Sequence, residues 1–148
     1  MICIKEIDHK SILPCAILYQ KVYKEAPWNE EYSIDEVTDY LNRFTNSKTK
    51  RAYMMLLEDE VIGITLGLLV PCIGSDYFRL EDICLDTEYQ NRGLGSRFIQ
   101  LLSERLLDEK CDSILLGTQK GYPAHRFYLK NDFQEIDSVL LYKSLGKL

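Results

Sequence analysis

Apolar and polar residues alternate along this chain in two rhythms, and the change of rhythm divides it into elements. Period-two alternation over Ile2 to Ile7 predicts a first strand. Arg51 to Glu58 and Val61 to Val70 read as a hairpin turning around Glu58-Asp59-Glu60. Tyr77 to Leu85 is a further strand after the loop Pro71 to Asp76, Ser113 to Thr118 is another, and Phe133 to Ile136 and Val139 to Lys143 close the chain as two more. Helical spacing of Ile12, Cys15, Ala16, Leu18 and Val22 predicts a helix to about Tyr23, with Ser11 as its cap and Pro14 in its first turn. Ser33 and Glu36 form a capping box for a second helix that buries Ile34, Val37, Tyr40, Leu41 and Phe44. A third helix, Ser96 to Lys110, presents Leu94, Phe98, Leu101, Leu102 and Leu106 along one face, and Pro123 to Lys130 is a short fourth. Some neighbouring strands are joined by hairpins and others by helices, which implies a mixed sheet covered by helices.

Composition narrows the class. A chain of 148 residues suggests one domain, 1–148, at about 100–200 residues per domain. A net charge of -5 argues against nucleic acid as the main partner. The longest apolar run, Ile62 to Ile73, is too short to cross a bilayer as a helix and holds two glycines, so no membrane partner is expected. The five cysteines show no C-x-x-C spacing and are not paired with His9 or His125, so no metal site is expected. Their odd number, without a secretory signal, points to a reducing, cytoplasmic location.

The segment Gln90-Asn91-Arg92-Gly93-Leu94-Gly95-Ser96 carries the strongest chemical signal. It lies between an apolar strand and an amphipathic helix. Glycines there let the backbone approach an anion, and the first N–H groups of a helix have no partner inside it. The spacing is neither a P-loop, since Arg97 follows Ser96, nor a dinucleotide fingerprint, since the third glycine is missing. A phosphate-bearing ligand is implied; an ordinary strand–helix turn using glycine for its backbone freedom is the alternative.

Two ordered anchors give a more specific reading. Leu85-Asp86-Thr87-Glu88-Tyr89-Gln90-Asn91-Arg92-Gly93-Leu94-Gly95 resembles the fourth-strand and pyrophosphate-loop segment of the GNAT superfamily of N-acetyltransferases. Ala124 to Phe133 resembles the family's later segment with a tyrosine in a helix, here Tyr128. The chain departs from the pattern at Thr87, where proline is common, at Gly121, where asparagine is common, and at Asp132, where glycine is usual. Asp and Asn tolerate left-handed backbone, so a helix ending at Asn131-Asp132 remains feasible.

The resemblance implies an α/β fold of mixed α+β type, with a mostly antiparallel sheet of about seven strands flanked by about four helices. It implies acetyl-coenzyme A as cosubstrate, with the pyrophosphate on the loop Gln90, Asn91, Arg92, Gly93, Leu94, Gly95 and Ser96. It places the pantetheine arm along the backbone of Ile83, Cys84 and Leu85, and adds Ala124, Phe127 and Tyr128 as cofactor contacts. A strand N–H, such as that of Leu85, would face the thioester oxygen. Tyr128 is the candidate proton donor to the leaving thiolate. An alkyl ammonium, with a pKa of about 10.4, must lose a proton before it attacks. Glu81 is the first candidate base and Asp82 the second, with water as an alternative; alternation along a strand turns only one of the two into the cleft unless a bulge intervenes. Trp28, Glu25 and Glu30 are the candidate acceptor contacts, suited to a cation on an apolar stem. The partner is then a small-molecule or peptide amine, and the chain works as a monomer or homodimer. A non-catalytic acyl-CoA-binding sensor on the same fold is the alternative reading.

Overall fold

Three strands in succession form the backbone of the sheet because each is long, apolar and joined to the next by a tight connection or short loop. The structure is a computed structural model and describes residues 1–147. In chain order the elements are β1 (Ile2–Glu6), α1 (Ile12–Lys24), α2 (Ile34–Asn42), β2 (Lys50–Leu57), β3 (Glu60–Val70), β4 (Asp76–Leu85), α3 (Leu94–Asp108), β5 (Cys111–Leu115) and α4 (Pro123–Lys130). The sheet order is β1-β2-β3-β4-β5. All pairings are antiparallel except β4 with β5, where α3 provides the crossover that a parallel pair needs.

The chain forms two compact units, Met1–Leu116 and the segment from Gly117 onward. In the first, α1 and α2 cover one face of the sheet. Cys15, Ala16, Leu18, Tyr19, Val22 and Tyr23 of α1, with Val37 and Leu41 of α2, pack on Ala52, Met54, Leu56, Ile64, Leu66 and Cys84. Helix α3 covers the other face: Leu102 and Leu106 meet Tyr53, Leu69, Phe78 and Leu80, while Phe98 meets Met55 and Ile62. In the second unit, α4 begins with Pro123 and ends at Lys130, with Asn131 as its C-terminal cap. Asp132 takes the left-handed position with φ 69°. The Phe133 N–H donates to the Tyr128 carbonyl at 3.1 Å, and the two rings lie 5.2 Å apart. This is the glycine-type helix ending with aspartate in the glycine's place.

Local chemistry explains most boundaries. The capping box at α2 is complete: Ser33 Oγ accepts from the Glu36 N–H and Glu36 Oε1 from the Ser33 N–H, each at 3.0 Å. At α1 the expectation is corrected in part. Ser11 occupies the cap position, but its hydroxyl makes no helix-capping bond; it hydrogen-bonds with Asp8, whose carboxylate also accepts the N–H groups of Lys10 and Ser11.

The strand count is also corrected. Among the described residues the sheet has five strands, and Phe133 to Ile136 and Val139 to Lys143 form none. Ile136, Val139, Leu140, Leu141 and Tyr142 are exposed. Alternation sets which side chains share a face, whereas a strand also needs a neighbour for its N–H and C=O groups, and a pattern does not supply one.

Close approach fixes Gly67. A Cβ there would lie 2.2 Å from Phe78 Cζ and 2.5 Å from the Arg79 carbonyl oxygen. Gly67→Val should therefore destabilise the protein by about 1–3 kcal/mol through forced displacement of Phe78. Urea denaturation measures this, and an unchanged midpoint would show that Phe78 moves aside freely.

Candidate active site

The site is built around an irregularity in β4. Gly67 pairs with Leu80 and the preceding Leu66 pairs with Asp82, so Glu81 has no partner opposite it on β3. One extra residue in a strand reverses which face the following side chains take. Before this bulge, Phe78 and Leu80 pack towards α3. After it, Asp82 and Cys84 lie towards α1 and α2, and Ile83 and Leu85 towards α3. Glu81 itself is exposed and pairs with Arg79 Nε at 3.0 Å.

Asp82 enters a cluster of tyrosines. Its Oδ1 accepts from the Tyr23 hydroxyl at 3.0 Å, and its Oδ2 accepts from Tyr40 at 2.6 Å and Tyr19 at 3.3 Å. The Asp82 carbonyl accepts from the Thr65 hydroxyl at 2.9 Å. Burial raises the Asp82 carboxyl above the usual carboxylate range; the phenol donors pull it back down and the nearby Glu81 charge adds to the rise. Burial likewise pushes the phenols of Tyr23, Tyr19 and Tyr40 upward, so they stay protonated as donors. Trp28 stands edge-on to Tyr23 with ring centroids 5.1 Å apart and is 48% exposed. Glu25 and Glu30 are exposed on the same α1–α2 connection, and the Glu30 N–H donates to the Tyr23 carbonyl at 2.8 Å. The acid that reaches the rings is Asp82.

The β5 edge of β4 opens at the same place. Strand β5 pairs with β4 only through Arg79. From Leu80 to Leu85 that edge has no strand neighbour among the described residues. The Asp82 carbonyl and the Asp86 N–H both face β3, the latter bonding the Ile62 carbonyl at 2.8 Å. Alternation then turns the backbone groups of Ile83 and Leu85 to the open edge. The Leu85 carbonyl there accepts from Gln90 Nε2 at 3.0 Å.

The open edge leads directly into the glycine turn. Asp86, 6% exposed, accepts from the Glu88 N–H at 3.1 Å and from Lys21 Nζ at 3.0 Å, which ties the turn to α1. Asn91 and Gly93 take left-handed backbone with φ 61° and 77°. Gly93 is the cap residue of α3, and α3 has no side-chain cap. The first bond within the helix runs from the Arg97 N–H to the Gly93 carbonyl at 3.2 Å, so the N–H groups of Leu94, Gly95 and Ser96 stand ahead of the ladder. A Cβ at Gly93 would meet nothing within 4 Å, so the backbone is open to a ligand there. Open amides, positive dipole and clear space fit a diphosphate.

The sequence model of the acetyltransferase (GNAT) family matches residues 17–133. The chain belongs to the GNAT acetyltransferase family. The match spans the glycine turn and α4 alike. No curated protein matches the chain. Its fold resembles that of a possible acetyltransferase from Clostridium difficile 630, with a TM-score of 0.84 at 15% identity over 99% of both chains. It also resembles AAC(6')-Iy, solved with the bisubstrate analogue CoA-S-monomethyl-acetylneamine, with a TM-score of 0.78 at 13% identity over 99% of both. A third likeness is to an aminoglycoside acetyltransferase from an uncultured soil metagenomic sample, in complex with sisomicin. There the TM-score is 0.76 at 15% identity, covering 98% of this chain and 97% of that one.

For this GNAT chain the second anchor lies on α4. Tyr128 is half-buried, with its ring 5.4 Å from that of Phe127; Phe127 is also half-buried and Ala124 is exposed. Gly121, where the family often has asparagine, has φ 83° and is held by its backbone: its N–H donates to His125 Nδ1 at 2.9 Å and its carbonyl accepts from Arg126 at 2.8 Å. Sequence reasoning missed Tyr19, Tyr23 and Tyr40 as partners of Asp82. The signal was present: Tyr19 and Tyr23 are four residues apart, so they lie on one helix face.

The direction of the Asp82 shift sets a pH dependence. A carboxyl whose native pKa is raised above its unfolded value adds stability at low pH, and that contribution is lost as pH rises through the native pKa. Wild type should therefore lose stability relative to Asp82→Asn as pH rises from the ordinary carboxylate range towards neutrality. Thermal melts of both proteins between pH 4 and pH 8 check this; a difference that stays constant with pH contradicts it.

Proposed function

We propose that this protein is an N-acetyltransferase that moves the acetyl group of acetyl-coenzyme A directly to a primary amine of a small molecule or peptide, within one domain of residues 1–148. The observation that carries the reading is the open β4 edge running into the uncapped start of α3. In this reading the amides from Arg92 to Ser96 hold the diphosphate, and Gln90 and Asn91 shape the turn. The backbone of Ile83, Cys84 and Leu85 aligns the pantetheine arm as an added strand would be aligned. Ala124 and Phe127 complete the cofactor contacts. Acetyl-coenzyme A supplies an activated acyl carbon and a thiol leaving group.

The chain's own residues supply the rest. A β4 N–H, of Leu85 or of Ile83, stabilises charge on the acyl oxygen. A phenol has an ordinary pKa of about 10 and a free thiol one of about 8.5, so the Tyr128 hydroxyl is the group that passes a proton to the leaving thiolate. Glu81 or Asp82 accepts the ammonium proton; burial raises the Asp82 carboxyl, which favours its proton-bound form. Trp28, Glu25 and Glu30 border the acceptor. We place the enzyme in the cytoplasm, as a monomer or homodimer, with no nucleic-acid or membrane partner. Among the described residues no helix is long and apolar enough to cross a membrane.

Release of free thiol from acetyl-coenzyme A across an amine library tests the activity. Binding of coenzyme A with no release for any amine would make the chain a binding module instead. Tyr128→Phe should lower the rate at least tenfold with coenzyme A affinity unchanged, and an unchanged rate removes Tyr128 from the chemistry. Gly93→Val places a side chain in the diphosphate's space and in a left-handed conformation, and should weaken coenzyme A binding at least tenfold. Calorimetry measures it; unaltered affinity would refute the placement of the diphosphate.

A further inference from the structure

We infer that His125 is a positioning residue for Tyr128: its imidazole braces both ends of α4 and so fixes where the phenol stands. The inference rests on the N-acetyltransferase reading, in which Tyr128 passes a proton to the leaving thiolate, and adds a residue to that step.

The start of α4 lacks the usual support. The helix has eight residues, Tyr122 at its cap position makes no side-chain bond to it, and Pro123 brings no N–H. A helix that short is marginal in water on its own. Its entry is held instead through Gly121, whose φ of 83° turns the chain into the helix. Two side chains early in α4 reach back to that residue. His125 Nδ1 accepts the Gly121 N–H at 2.9 Å, and Arg126 Nη1 donates to the Gly121 carbonyl at 2.8 Å.

The other ring nitrogen faces forward along the chain. His125 Nε2 lies 2.7 Å from Glu135 Oε1. An Nδ1 that accepts a bond carries no hydrogen, so in the neutral ring the hydrogen is on Nε2, towards the carboxylate. Glu135 thereby favours the tautomer that can hold Gly121.

Both contacts lead to Tyr128. It follows His125 by three positions, so the two are neighbours on the helix surface. At the far end, the Phe133 N–H donates to the Tyr128 carbonyl at 3.1 Å, and the Phe133 ring lies 5.2 Å from the Tyr128 ring. Glu135 stands two residues beyond Phe133. The stretch that packs on Tyr128 is therefore tied to the same imidazole that secures the helix start. A ring that only filled space would have no need of a partner at each nitrogen. A proton donor works only within hydrogen-bond reach of its target, and small displacements cost rate steeply.

Two variants separate the bond from the bulk. His125→Asn puts an amide oxygen where Nδ1 stands and keeps an acceptor for Gly121, whereas His125→Phe keeps a ring and removes the acceptor. Thiol release from acetyl-coenzyme A, with an amine that the wild type acetylates, should show kcat lowered about fivefold in His125→Phe, the size of one net hydrogen bond, with KM for acetyl-coenzyme A unchanged. His125→Asn should keep kcat within about twofold of wild type. NMR of the imidazole nitrogens in the wild type at neutral pH should show Nδ1 bare and Nε2 carrying hydrogen, and this needs no variant to fold. The opposite order, with His125→Phe active and His125→Asn impaired, would mean that the ring acts by packing and overturns the inference. An unchanged kcat in His125→Phe, a loss confined to KM, or a hydrogen on Nδ1 overturns it as well. If the wild type releases no thiol with any amine, the N-acetyltransferase reading fails, and hydrogen exchange of the α4 amides decides the brace alone. Exchange about fivefold faster in His125→Phe but not in His125→Asn upholds it, and equal exchange in all three proteins removes it.

Discussion

One unpaired residue, Glu81, sets the geometry on which the rest of the site depends. A strand without it would carry Phe78, Leu80 and Asp82 on the same face, against α3. The bulge turns Asp82 to the tyrosines of α1 and α2 while leaving Phe78 and Leu80 in the opposite core. The same region is where β4 loses β5 as a neighbour, so the reversal of face and the opening of the edge coincide. Gly67, paired with Leu80 beside the bulge, makes room for Phe78 to lie across β3. A local defect in pairing therefore positions an acid, a backbone edge and a core aromatic at once.

The balance at Asp82 is decided by magnitude. Hydrogen bonds to a charged group contribute about 1.5–3 kcal/mol each, and three phenols donate here. Desolvating a carboxylate costs several kcal/mol even after relaxation. The two are of similar size, and desolvation is the largest cause acting on the Asp82 carboxyl, in the upward direction. The carboxylate is accordingly held in place by its donors without being fully satisfied by them. That is a suitable state for a group meant to bind a proton or a cation.

Elements governed by local rules were legible in the sequence. The capping box of Ser33 and Glu36, the hairpin at Glu58-Asp59-Glu60 and the buried face of α3 all follow from spacing within a few residues. Features that depend on a distant partner were not. The Glu81 bulge exists only relative to Leu66 and Gly67 on β3, and no spacing within Tyr77 to Leu85 marks it. The tyrosines of α1 stood outside the face that spacing marked, because their rings are in the core while their hydroxyls meet a residue more than fifty positions away. Val139 to Lys143 is an apolar run of strand length, yet such a run is silent about pairing. Asp132 illustrates the converse: the helix ending survives loss of its glycine because aspartate reaches the same left-handed conformation.

Two of the helix starts in the first unit, those of α2 and α3, show how the chain separates stability from binding. At α2 the capping box consumes the amides of Ser33 and Glu36, and the helix start is closed. At α3 the cap is Gly93 in a left-handed conformation, which has no side chain to return to the helix. Replacing a capping Ser or Asp by Gly costs only a few tenths of a kcal/mol. Fifteen residues packed on the sheet through Phe98, Leu102 and Leu106 compensate for that easily. The amides of Leu94, Gly95 and Ser96 are thereby kept available at little expense in stability, while the dipole of a long helix remains directed at them. A helix anchored by its far turns can leave its first turn to a ligand, and α3 is anchored in that way.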